Sequence, residues 1–154
     1  MPSIQTEPNL HQAEAYRSFL QRLERLTPAS PRLWGEMDVA QMLAHVTKNL
    51  ELAMGIEPIK QTLMGRIFGG VAKRKLFREG IPKGIPTDPG RKITDQRNFE
   101  QEKALLERTL NRFFELGTTG ITRQPHDFFG RMTAPEWARL QYLHTDHHFR
   151  QFGV

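Results

Sequence analysis

Residues 133–150 read TAPEWARLQYLHTDHHFR. Thr133 is a good helix cap, Pro135 falls in the first turn, and Glu136 stands three residues after the cap, the spacing of a capping box. The spacing predicts a helix from here through His148 to the end of the chain. With Trp137 set at 0° and 100° per residue, Leu140 falls at about −60°, His144 at about −20°, His148 at about +20° and Gln151 at about −40°. His144 and His148 therefore share the apolar face of Trp137 and Leu140. His147 lies on the flank near Leu140 and Leu143, and Asp146 points away. A helix with imidazoles in the middle of its apolar face must give them partners, because an unpaired buried polar group is costly.

Three other segments carry the same 3.6-residue period. The first runs from about Asn9 to Leu26, with Leu10, Ala13, Leu20 and Leu23 on one stripe and Asn9 and Gln12 at box spacing. The second starts at Asp38, again with a box partner at Gln41. It lines Val39, Met42, Leu43, Val46, Leu50 and Ala53 along one face and stops at Gly55 and Pro58. The third runs from Thr94 or Asp95 to Leu116, with Gly117 as its terminator and a stripe of Phe99, Leu106, Leu110 and Phe113. No strand alternation or internal repeat intervenes. The expected architecture is all-α: one domain over residues 1–154, a four-helix bundle with a long crossover between helices two and three.

That crossover holds the charge. The chain of 154 residues carries +5 overall, yet Gly55–Ile93 has nine Lys/Arg against three acids, while the remainder nets −1. Within it, Ile59, Leu63, Ile67 and Val71 suggest one or two short helices, and REGIPKGIPTDPGRK (78–92) reads as a loop. Gly65 and Gly69 in GRIFGG point to close helix packing, since a phosphate loop would need a Lys-Ser/Thr pair. The basic segment is either a solvated connector or a patch for an anionic partner.

The chain has no cysteine, so a metal must be held by His, Asp or Glu. His-x-x-x-His places two imidazoles one above the other on a helix. His45, at the edge of the second helix's buried stripe, is the candidate third ligand, with Gln41 and Asn49 one turn away on either side as orienting groups. Three imidazoles suit zinc, nickel, copper and iron alike. HTDHH lacks the glutamate of a zincin helix, Arg139 stands where a di-iron bundle needs histidine, and no Gly-x-Ser-x-Gly occurs. His147 is a neighbouring or alternative ligand. His126, in the loop PHDFFG, is either anchored by its aromatic neighbours or a proton-transfer group at the bundle mouth. His11 is assigned to the surface. The polar N-terminus shows no secretory signal, and no run of about 18 apolar residues exists to span a membrane. Freedom from cysteine fits a cytoplasmic protein.

The stretches WGEMDVAQMLAHVTKNLELAM (34–54) and PHDFFGRMTAPEWARLQYLHTDHHFRQFGV (125–154) resemble the two conserved-looking motif regions of the DinB-like superfamily, the second being similar to a small subgroup with an HxxHHxxQFG-type end. The resemblance implies an up-down-down-up bundle and a divalent metal, zinc or nickel, on His45, His144 and His148. It implies a transferase or isomerase acting with a low-molecular-weight thiol, and a homodimer; His126 is the candidate for proton transfer in such a site. The alternative is a non-catalytic metal-containing module whose basic crossover docks an acidic partner. Nucleic acid is not expected, since no reading motif is present.

Overall fold

The computed structural model describes residues 6–85 and 88–154. Among these it contains five helices: α1 (Ala13–Glu24), α2 (Val39–Ala53), α3 (Leu63–Glu79), α4 (Phe99–Leu116) and α5 (Ala134–Arg150), with a 3₁₀ turn at Gly117–Gly120. No strand occurs among the described residues, and one isolated bridge joins His126 to Gly130. The expected all-α class holds, with a fifth helix inside the crossover.

Two of the predicted caps form in full. Asp38 accepts from the Gln41 backbone at 2.8 Å while the Gln41 side chain accepts from Asp38 N–H at 3.0 Å, and Thr133 with Glu136 repeats the arrangement on α5. The first helix starts later than predicted, at Ala13. Leu10 N–H donates to Ala138 O across to α5, and the Asn9 side chain accepts from His11 rather than Gln12, so residues 9–12 turn before the helix begins. The buried stripe accordingly becomes Ala15, Phe19 and Leu23, with Ala13 exposed. Asn98 caps α4 by accepting from Gln101 N–H at 3.0 Å, a few residues after the predicted Thr94 or Asp95. The Asp95 carbonyl is instead taken by the Gln41 side chain.

Eleven of the fifteen residues of α2 are buried, which marks it as the inner helix. It packs against α4 and α5, and α1 packs against the same two, so these four enclose one core around Phe19, Phe113, Trp137 and Phe149. The crossover forms one helix, α3, as the period of Leu63, Ile67 and Val71 suggests, but that stripe is not what the helix buries. Leu63, Ile67 and Val71 are exposed, and α3 buries Gly65 and Gly69 instead. A Cβ on Gly65 would lie 2.6 Å from Phe128 O, and one on Gly69 would come closer still. Two main chains touch there because neither glycine carries a side chain to hold them apart. Arg78 and Glu79, expected in a loop, belong to α3, while Pro86 and Thr87 of the same stretch lie outside the described residues. So do residues 1–5, where the N-terminal reading began.

Candidate metal centre

The cap of α2 fixes the helical phase that carries His45, and the cap of α5 fixes that of His144 and His148. The two helices face each other, and the three imidazoles converge. A ring nitrogen from each of His45, His144 and His148 lies within 4.8 Å of the others. His45 Nε2 and His144 Nε2 are 2.9 Å apart, and the ring centroids stand 4.5–4.8 Å from one another.

Two of the rings are already oriented for coordination through Nε2. His45 Nδ1–H donates to the backbone carbonyl of Arg91 at 3.0 Å, and His148 Nδ1–H donates to Gln151 Oε1 at 2.7 Å. A histidine whose second nitrogen is committed to an oxygen acceptor offers the first nitrogen's lone pair in a fixed direction. His144 Nδ1 is buried with no partner among the described residues, so that ring is held by packing. The site of His45, His144 and His148 therefore fits a divalent ion by its donor set and by its prearranged tautomers.

Gln41 and Asn49 do not orient His45. Gln41 serves the α2 cap, and Asn49 donates to His45 O while accepting from Arg91 Nη1 at 3.1 Å. Arg91 is the residue that the sequence did not single out. Its carbonyl holds the His45 ring, and its guanidinium bridges Asn49 and the Asp127 carboxylate. No sequence signal marked it within the basic crossover, whereas Asp127 directly follows His126 and offered one.

His126 is buried beside Trp137 and Phe129. Its Nδ1 accepts from Phe128 N–H and Phe129 N–H, each at 3.1 Å, and Asp127 Oδ1 lies 2.8 Å from the same nitrogen. An Nδ1 that accepts two N–H groups carries no proton, so the neutral ring bears its hydrogen on Nε2, the nitrogen not tied to the loop; charging the ring would put a proton between Nδ1 and the Asp127 carboxylate at the cost of those two bonds. Burial works against the Asp127 carboxylate, but His126 and the Arg91 guanidinium outweigh it and hold its carboxyl well below the usual range. Burial lowers His126, partly offset by Asp127. His147 stays off the triad. It packs edge-on to His148 and Trp34, with the Ile81 backbone of the crossover near its ring. His11 is not a surface residue, since its ring stacks on Phe113 at 4.9 Å.

His45, His126, His144 and His148 all line a cavity of about 670 Å³. Its outer wall is the crossover, through Leu76, Ile81, Pro82 and Ile85, and its inner wall includes Leu140 and Phe129. The size suits a small organic molecule.

Burial pushes His45 down to about 4 and His148 to about 3, and drives His144 well below its ordinary value. All three are neutral at pH 7, as ligation requires. The unfolded chain takes up these protons below about pH 6.5, whereas the folded chain resists down to about 4 or 3. The corresponding stability is fully present above pH 6.5 and lost as pH falls through that window. For His45 alone the shift corresponds to about 3 kcal/mol. Chelator-treated protein should lose on the order of 10 °C in Tm between pH 7 and 4. A chain with His45→Asn and His148→Asn should lose less over the same range; equal losses would show that these rings are not the cause.

Residues 6–153 match a family described as "Protein of unknown function (DUF1569)". No curated protein matches the chain, and no solved structure does.

Proposed function

We propose, for a chain that belongs to the DUF1569 family, a metal-dependent enzyme of the DinB-like type. In this reading His45, His144 and His148 hold one zinc or nickel ion, and a small organic molecule is converted in the adjoining cavity with a low-molecular-weight thiol as cosubstrate, in a transfer or isomerisation. The observation that carries it is the junction of the two features: three convergent imidazoles open onto a largely apolar cavity. A structural metal site is normally closed by four protein ligands, whereas three leave a position for substrate. That distinction favours a catalytic site over the non-catalytic module.

A divalent ion there would lower the pKa of a bound water or thiol and so supply a nucleophile at neutral pH. The chain's own residues would do the rest. His126, backed by Asp127, would move a proton at Nε2. Arg91 would keep both histidine systems in register. The apolar wall of the crossover would exclude water around the reacting groups. The up-down-down-up order is part of the same proposal. It is supported by the pairing of α2 with α4, two neighbours joined by residues 54–98 rather than by a short turn.

Metal analysis tests the reading. Protein purified without a histidine tag or nickel resin should carry one divalent ion per chain, or take up one with zinc or nickel in titration. A chain that contains no ion and binds neither metal ends this proposal. A screen of thiol conjugation with the metal-loaded protein then separates catalysis from simple metal storage.

A further inference from the structure

The apolar half of the outward face of α3 lines no part of the cavity. Leu63, Met64, Ile67, Phe68 and Val71 are 52–72% exposed. Setting Leu63 at 0°, Leu63, Ile67 and Val71 lie within an arc of about 80°, and Arg74 and Arg78 fall in that same arc about one and two turns beyond Val71. Met64, Phe68 and Lys75 flank it. One face thus changes from apolar in its first half to basic in its second. Lys60 and Arg66, both exposed, border the apolar end. Lys75 and Arg78 are about two-thirds exposed and share one acid, Glu79. A contiguous apolar patch of this kind marks an interaction surface.

The charge pattern selects the occupant. A second copy fits poorly: parallel α3 helices would bring the basic halves together, and antiparallel ones would set apolar halves on charged ones. An anionic lipid surface fits, because large apolar side chains stand on the exposed face of α3 with cations at both ends of the patch, Lys60 and Arg66 at one and Arg74, Lys75 and Arg78 at the other. Long basic side chains can reach headgroups while the patch dips between them.

We propose that α3 docks the protein on an anionic membrane surface, with Leu63, Ile67, Phe68 and Val71 entering the headgroup boundary and Arg74, Lys75 and Arg78 pairing with lipid phosphates. No helix of the described residues is long and apolar enough to cross a membrane, so the attachment is peripheral. Lys75 also lines the cavity. If the site reading above holds, on which this consequence alone rests, the cavity mouth then lies beside the bilayer and its substrate is an apolar molecule drawn from lipid.

Co-sedimentation with vesicles tests the docking, with chelator present so that the metal plays no part. The chain should pellet with phosphatidylcholine–phosphatidylglycerol vesicles, remain in solution with phosphatidylcholine alone, and release as salt rises. The pair Ile67→Ser and Phe68→Ser, and separately the pair Arg74→Gln and Arg78→Gln, should each weaken binding by about tenfold or more. All four positions are on the exposed face, so each variant should keep the parent Tm. A chain that ignores anionic vesicles, or binding that both pairs leave unchanged, overturns the proposal; the face would then belong to an acidic protein groove.

Discussion

His148→Ala should lower zinc affinity by more than the roughly ten- to hundredfold that losing an orienting partner costs, and His45→Ala should do the same, while His147→Ala should leave it close to the parent value. The three substitutions remove chemically identical rings from one small region, so a generic loss of packing cannot produce that pattern. His147 lies next in sequence to a ligand, but its ring faces Trp34 and the Ile81 backbone. Gln151→Leu should fall between, at about ten- to a hundredfold, because it removes only the oxygen that orients His148 at 2.7 Å. Competition against a chromophoric chelator measures all four. If His147→Ala costs as much as His148→Ala, the ligand set is wrong.

Arg91→Met should be the most damaging change outside the triad. Arg91 and Asp127 are largely buried, at 18% and 15% side-chain exposure. Removing the guanidinium leaves the Asp127 carboxylate facing a neutral His126 and strips the Asn49 side-chain oxygen of its donor. A loss of about 2–3 kcal/mol in stability is expected, below the full cost of breaking a wholly buried pair because both groups keep some contact with solvent. The loop that presents Arg91 O to His45 should loosen too, weakening metal affinity by about tenfold or more. Adding Asp127→Asn removes the stranded charge and should recover much of the stability but not the metal affinity. Chemical denaturation and metal titration on the single and double variants resolve the two effects. Equal stability of Arg91→Met and parent would mean that the bridge is only a surface ion pair.

The sequence shows the histidine triad better than it shows the space around it. Caps and angles are local, so Thr133–Glu136 and Asp38–Gln41 fix the phase of two helices and place three histidines on facing surfaces. Arg91 escapes such reasoning because it acts on His45 through a backbone carbonyl, 46 positions away in sequence. The crossover misleads for a different reason. A helical period tells which residues share a face, not which face is covered, and on α3 the buried edge is defined by two residues with no side chain. The late start of α1 likewise depends on Leu10 finding Ala138 on α5.

The contact between Gly65, Gly69 and the Phe128 main chain has a consequence for how this cavity can diversify. The distance between its outer and inner walls is set where backbone meets backbone, at two glycines that do not themselves line it. Leu76, Ile81 or Ile85 can be exchanged for other side chains while the frame keeps its width, so selectivity for a new guest is reachable in single steps. A side chain at either glycine would instead re-space the whole wall at once. The scaffold therefore separates the residues that can explore from the two that must stay, and a library aimed at new ligands should randomise the first and leave Gly65 and Gly69 untouched.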